Sequence, residues 1–312
     1  MGAILLEVQQ LRVDYDDVLA VNDVSFSVEA GMVYGLIGPN GAGKTSVMKI
    51  LASLLEPTWG QVRINGVDLL MEPQKALQYI GYMPDFPPLY DDLSVREFLE
   101  LFASAYGLSP HIRRTRIESL VAQVQLTEKL EQPCGGLSRG MKQRLFLAKT
   151  LLHDPPVLLL DEPASGLDPR ARLEFQGILT ELGRQGKAVL VSSHILSELA
   201  DFCNAVGIME QGKMIVTGRI DEILAQLQPQ RRLLVRLVRE DARLGELLSS
   251  CGGVQGLVQS GVEARFSFSG DEAQLADLLR LLVMQEFQVC AFQELESNLQ
   301  DIFMKVSTGR VA

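Results

Sequence analysis

The chain has 312 residues, enough to bury a large core and to hold two domains. Its 47% hydrophobic and 22% charged residues exclude a disordered chain, and a net charge of −10 argues against a non-specific nucleic-acid binder, which needs a basic face. Four scattered cysteines (Cys134, Cys203, Cys251 and Cys290) show neither CxxC nor zinc-like His/Cys spacing, and read as free thiols of a reducing compartment.

The longest apolar runs, such as VLLL at 157–160, fall far short of the roughly 20 residues a spanning helix needs. The start, MGAILLEVQQ, lacks the basic region and cleavage site of a signal peptide and the Ser/Thr of a myristoylation signal. Any membrane role is therefore expected to come through a partner.

In chain order, ILLEVQQLRVDY, DVSFSVEAG and MVYGLIG read as strands, 44–54 as a helix, and GQVRINGVDL as a further strand around a turn. From about 92 to 152 the pattern is helical, with SVREFLELFASAYG and HIRRTRIESLVAQVQL the clearest segments. Strands return at VLLLD and AVLVSS, each leading into a helix, so a parallel sheet with an inserted helical subdomain is expected. The character changes near 225–232. The strands and helices that follow, closing with a helix at 296–306, have the βαββαβ order of a small ferredoxin-like α+β domain.

GPNGAGKT at 38–45 satisfies GxxxxGK[ST] between a strand and a helix. Gly38, Gly41 and Gly43 let the backbone curl around phosphate oxygens, with Pro39, Asn40, Ala42 and Ser46 completing the cradle. Lys44 can reach the β- and γ-phosphates, and Thr45 can offer a hydroxyl to Mg²⁺. A plain glycine turn is the bland alternative, and the flanking strand and helix disfavour it.

VLLLDEP at 157–163 ends a buried strand on two acids. Asp161 suits a Mg²⁺ ligand at the carboxyl edge of a parallel sheet, and Glu162 a general base for an attacking water. GLSRGMKQRL at 136–145 opens a helix inside a loop. Ser138 stands at the N-cap, where its hydroxyl and the free backbone N–H groups form an anion site.

Together these motifs resemble the ATP-binding cassette ATPases over about residues 4–225. The resemblance implies an ABC-type P-loop α/β fold with an N-terminal β subdomain and a helical subdomain at about 86–155, placing the ATP-binding domain at 1–227 and an accessory domain at 228–312. It implies ATP and Mg²⁺ as cofactors. GLSRGMKQR is similar to the family's signature loop and SGLD (165–168) to its D-loop, which makes Ser138, Gly140 and Asp168 nucleotide-site residues. His194 is similar to the switch histidine on the γ-phosphate, and Tyr15 to the aromatic that stacks on adenine. Because one P-loop occurs, the resemblance implies a second cassette, in a homodimer or with a homologous subunit, each signature loop covering the other chain's ATP. It implies a membrane permease as partner and a place on the cytoplasmic face of the membrane. His111 and His153 carry no such context and read as structural.

Two positions depart from the family pattern. Arg139 and Met141 stand where Leu-Ser-Gly-Gly-Gln has Gly and Gln, a form similar to drug- and polymer-exporting cassettes; the tail ESNLQDIFMKV resembles export cassettes as well. Asp85, in IGYMPDFPP, stands where the family has glutamine. An ionised Asp only accepts hydrogen bonds or binds Mg²⁺, so Asp85 is either a metal ligand or a residue of the loop joining the core to the helical subdomain. The accessory domain reads equally as a ligand sensor or a dimer brace. A soluble ABC ATPase acting on ribosomes, DNA or assembly is the alternative class, disfavoured because neither a second cassette nor a long coiled coil is present. A GTPase lacks its NKxD-like motif.

Overall fold

The computed structural model describes residues 2–15, 18–85, 88–227 and 231–295. The closing helix expected at 296–306, the export-like tail and Phe86–Pro87 of the Asp85 loop lie outside the described residues. Two compact units divide the chain, the first running to Ile220 and the second starting at Asp221.

The first unit begins with β1 (Ile4–Tyr15) and β2 (Val18–Glu29), two long antiparallel strands whose alternating apolar residues bury one face. Then come β3 (Val33–Ile37), α1 (Lys44–Leu51), β4 (Trp59–Ile64), β5 (Val67–Asp68), α2 (Pro73–Ala76) and β6 (Ile80–Met83). Helices α3 (Val95–Ala105), α4 (Pro110–Gln123) and α5 (Arg139–Thr150) make the helical insertion. The chain continues through β7 (Val157–Leu160), α6 (Pro169–Arg184), β8 (Ala188–Ser193), α7 (Leu196–Ala200), β9 (Ala205–Glu210) and β10 (Lys213–Arg219); α8 (Ile220–Leu227) starts on the last residue of this unit and runs on in the second.

Two sheets result. One is antiparallel in the order β2-β1-β4-β5; the other runs β10-β9-β3-β8-β7-β6 and is parallel except at the β9–β10 hairpin. Every residue of β3, β7 and β8 is buried, as expected for strands of a parallel sheet covered on both faces. Apolar side chains of β1 and β2 (Leu6, Val8, Val24, Phe26) share one core with Val47, Met48 and Leu51 of α1 and with Leu36, Leu159 and Leu190 of the parallel strands. In the insertion, α3 starts on a Ser94–Glu97 capping box, and Phe98 packs on Phe102 and Phe146 with ring centroids 5.0 and 6.1 Å apart.

Sequence periodicity did not mark β6, β9 or β10. The strand β6 is four residues long, and β9 and β10 turn at Gln211–Gly212, both with positive φ (48° and 78°). That turn is tied to the P-loop region: Gly212 N–H donates to the Ala42 carbonyl at 3.2 Å, and Asn22 N–H to the Gly212 carbonyl at 2.7 Å.

The second unit carries β11 (Arg231–Leu237), α9 (Arg243–Ser250), β12 (Val254–Ser260), β13 (Glu263–Phe268), α10 (Glu272–Met284) and β14 (Val289–Leu295). Its sheet order β12-β13-β11-β14, all antiparallel, is the ferredoxin-like arrangement of a βαββαβ chain. Leu233, Val235 and Phe266 of the sheet meet Leu244, Leu248, Leu278 and Leu282 of the two helices in a core of their own. Among the described residues no helix is long and apolar enough to cross a membrane.

Because each unit has its own core, a chain ending at Leu227 is expected to fold and to retain nucleotide binding. Circular-dichroism melting and nucleotide titration check this; an aggregated or non-binding product would show that the first unit needs the second.

Candidate nucleotide-binding site

After β3 the chain curls through residues 38–43 into α1. Gly41 and Gly43 lie at φ of 83° and 100°, and a Cβ on Gly43 would sit 2.5 Å from the Ala20 carbonyl oxygen. Gly43 is the N-cap of α1 and brings no side-chain cap, so the first-turn N–H groups are left for an external acceptor. Lys44 is 6% exposed. Its Nζ donates to the carbonyls of Gly38 (2.7 Å) and Pro39 (3.2 Å) and lies 3.8 Å from Glu162 Oε1. Burial pushes the Lys44 ammonium below its ordinary range, opposed by the carboxylates of Glu162 and Asp161.

Strand β7 delivers the two acids to different places. Asp161 is 2% exposed, and its Oδ1 accepts from the Ser192 hydroxyl at 2.6 Å. The same Ser192 Oγ accepts the Glu162 N–H at 2.9 Å. Glu162 sits at φ 48°, a left-handed conformation uncommon outside glycine, which breaks the alternation of the strand. Its carboxylate meets Lys44 on one side and His194 on the other. His194 Nδ1–H donates to Glu162 Oε2 at 2.9 Å, since an ionised carboxylate only accepts. Nε2 is then the ring nitrogen that faces other partners.

A cleft of about 460 Å³ opens onto Lys44, Glu162 and His194, while Asp161 and Ser192 stay buried outside its lining. Asn40, Gly41, Ala42, Gly43, Lys44, Thr45 and Ser46 line it together with Asp85, Glu162, His194, Ala20 and Ser165. Asp85 therefore lies on the P-loop side of its loop. Its Oδ1 is buried without a hydrogen-bond partner. Burial and the charge of Asp161 raise the Asp85 carboxyl above the usual range, while Arg139 and His194 pull it back.

Oxygen donors suited to Mg²⁺ are thus at hand in Thr45, Asp161 and the orphaned Asp85 Oδ1. Among the described residues no three His, Cys, Asp or Glu side chains converge on a metal-sized point. The set fits Mg²⁺, which takes one or two carboxylates and completes its shell with phosphates and water.

Six residues expected at the nucleotide are absent from the described lining of this cleft, as is the expected metal ligand Asp161; two of the six, Gly38 and Pro39, face Lys44 with their carbonyls. Ser138 caps α5, its Oγ accepting the Met141 N–H at 3.3 Å, and Gly140 lets that helix approach α6, where a Cβ would come 2.9 Å from Ala171 Cβ. Asp168 caps α6 through the Ala171 N–H at 2.9 Å. Tyr15 ends β1, 43% exposed, opposite Val18 in the hairpin that contributes Ala20 to the cleft. His153, read as structural, stacks on Tyr106 and bonds the Ile80 carbonyl through Nε2 at 2.9 Å. Sequence reasoning missed Ser192, because its value comes from lying beside β7 in the sheet, in a register (Leu160↔Val191) that no local motif announces.

A P-loop on a parallel sheet, with an acid pair at the carboxyl edge and a histidine just past the end of the neighbouring strand, defines a P-loop nucleotide-binding domain. The family described as ABC transporter matches residues 21–165. The "Probable multidrug ABC transporter ATP-binding protein YbhF" of Escherichia coli is 37% identical over 72% of this chain, which spans only 39% of that protein. The Nod factor export ATP-binding protein I of Burkholderia pseudomallei is 38% identical over 70% of this chain and 72% of its own. A solved ATP binding subunit of an ABC transporter superimposes with a TM-score of 0.64 at 35% identity, over 72% of this chain and 93% of the other. The chain belongs to the ABC transporter ATP-binding family, and ATP is its nucleotide.

Ser192 is fully buried and serves both acids at once. Ser192→Ala is expected to lower stability by about 1–3 kcal/mol, since Asp161 Oδ1 and the Glu162 N–H both lose their partner. Urea denaturation measures this directly; an unchanged midpoint and slope would mean that neither bond contributes.

Proposed function

We propose that this chain is the ATP-hydrolysing subunit of an export-type ABC transporter, acting as a head-to-tail pair of cassettes under a membrane permease at the cytoplasmic face. The observation that carries the reading is a division of labour. The cleft gathers the P-loop, Glu162 and His194, while Ser138 and Gly140 open a helix that the chain's own cleft lining does not include. An anion-binding helix start outside the chain's own cleft lining supports a site shared between two chains. The export subclass is supported by the names of the relatives and by the Ser-Arg-Gly-Met signature.

In this reading the P-loop amides and Lys44 hold the phosphates, and Tyr15 supports the adenine. Thr45 and Asp161, with Asp85 as a further oxygen, hold Mg²⁺, which neutralises phosphate charge when bound. Glu162 takes the proton of the attacking water. Phosphate draws Lys44 away from Glu162 and frees that carboxylate for the water. His194 keeps Glu162 oriented through Nδ1–H and presents Nε2 toward the γ-phosphate.

Glu162→Gln keeps shape and bonding but cannot accept the proton, so hydrolysis is expected to fall by on the order of 10²-fold or more while ATP still binds. A closed dimer should then accumulate in size-exclusion chromatography. In that Glu162→Gln background, a chain carrying Lys44→Ala mixed with one carrying Ser138→Arg places both lesions in one composite site. The mixture should keep one ATP-trapping site. Two dead sites, by bound-nucleotide count, would assign Ser138 to its own chain's phosphate and remove the head-to-tail reading.

Asp85→Asn tests the remaining departure. It should shift the Mg²⁺ dependence of hydrolysis or its stimulation by the permease, with ATP affinity near normal. Unchanged kinetics in both assays exclude Asp85 from the metal and from the transmission path.

A further inference from the structure

Behind His194 lies a buried ionic network that the proposed chemistry does not use. Glu198, on α7, is 5% exposed, and its Oε1 pairs with Arg172 Nη2 of α6 at 3.0 Å. Its Oε2 accepts the Ser193 hydroxyl at 3.0 Å. The Ser193 Oγ in turn accepts the Ile195 N–H at 3.0 Å, so Ser193 brackets His194 from both sides of the chain. Gln176, one turn beyond Arg172 on α6, donates its Nε2 to the Glu198 backbone carbonyl at 2.6 Å. Glu198 is a buried carboxylate, and a buried charge needs a partner; Arg172, about a third exposed, supplies it, which turns attention to what the pair positions.

Its other end reaches the SGLD loop. Arg172 Nη2 also donates to the Leu167 carbonyl at 3.3 Å. Gly166, next to Leu167, lies at φ +67° directly under the Arg139 guanidinium of the signature loop, so close that a Cβ there would come 2.6 Å from Arg139 Cζ. Among the described residues the buried Arg172 Nε has no partner. The guanidinium therefore has an N–H in reserve for a second arrangement. A void of only about 10 Å³, bordered by Glu162, Gln176, Ser193 and Glu198, leaves space for little more than one water. Displacement on one side of it is passed to the other by contact.

We propose that Arg172 and Glu198 are positioning residues that join the SGLD loop to His194, so that the seating of that loop sets the pose of His194 against Glu162. Neither residue touches the nucleotide. Arg172 reads the Leu167 carbonyl, Glu198 reads Arg172, and Ser193 passes the position of Glu198 to the next residue in the chain. The proposal rests on Glu162 and His194 serving hydrolysis as described above. It adds that hydrolysis is gated from the surface where signature and SGLD loops lie.

The test uses the full chain and reads three quantities: ATP affinity by equilibrium titration, single-turnover hydrolysis, and the melting temperature. Glu198→Gln retains a hydrogen-bonding group but loses the charge that holds Arg172; Arg172→Met retains length and loses both bonds. Each is expected to slow hydrolysis by about tenfold, the scale of a base misplaced rather than removed, with ATP affinity changed by less than about twofold. The double variant should be no slower than the worse single one, because both lesions cut one path. Arg172→Lys, which keeps the charge, should recover part of the rate. Ser193→Ala removes only the hydroxyl between Glu198 and His194 and should reproduce the loss even if the charge variants fold poorly.

Normal hydrolysis in Glu198→Gln or Ser193→Ala overturns the proposal. So does a parallel fall of affinity, melting temperature and rate, or a double variant whose losses multiply. Glu162→Gln and His194→Ala are assayed beside them. If both of those hydrolyse normally, the site assignment fails and this proposal with it. If they are inactive while Glu198→Gln is normal, the site assignment stands and only the positioning role falls.

Discussion

The site depends on one hydroxyl. Ser192 stands at the end of β8 where it can donate to Asp161 and accept from the Glu162 backbone, and by doing both it fixes the point at which β7 stops being a strand. The Asp161 carboxylate stays inside, bonded, and Glu162 takes a left-handed turn that sends its carboxylate into the cleft. Without that turn, two adjacent acids on a strand would alternate from one face of the sheet to the other. The parallel register of β7 against β8 makes the hydroxyl available, in two strands whose every residue is buried. Core packing and site chemistry are therefore one problem in this unit.

Charge follows the same economy. A chain of net charge −10 has to hold a polyanion, and it does so with a small number of buried or directed positive groups. Lys44 is held by carbonyl oxygens and Glu162, so its ammonium is satisfied and already aimed across the loop. The two departures from the usual family pattern also bear on each other. Asp85 adds a negative group at the cleft, and Arg139, on the signature loop, offsets it. Arg139 at the same time lies against Gly166, where a Cβ would force the guanidinium to shift.

Legibility in the sequence followed the range of the interactions. The P-loop was readable because its turn, its lysine and its helix start are contiguous; Gly41, Gly43 and Lys44 act within a few residues of one another. Ser138 was readable as a helix start and does cap α5, whereas Asp168, read only as a nucleotide-site residue, turns out to cap α6. The strands β9 and β10 were not marked, because Gln211–Gly212 is a weak turn signal and β10 alternates between half-buried and exposed positions. Ser192, Arg172 and Glu198 were illegible for a different reason. Each works across elements, through sheet register or helix packing, and each belongs to a residue type that usually needs no partner at such distances along the chain. Asp85 was flagged by its departure from a pattern, and its buried, unpartnered oxygen emerges only in three dimensions.

The Gln211–Gly212 turn has one more consequence. Its amide bonds the Ala42 carbonyl, and its carbonyl receives the Asn22 amide, so the phosphate loop is stitched to both sheets before any ligand arrives. Fixing the backbone of a free loop costs roughly 1–2 kcal/mol per residue, and here folding has already met that cost for the segment that must cradle the phosphates. Affinity can then come from the amides themselves instead of being spent on ordering them. The hairpin at the edge of the sheet thus works like a keystone: a short, remote-looking turn decides how stiff the cradle is.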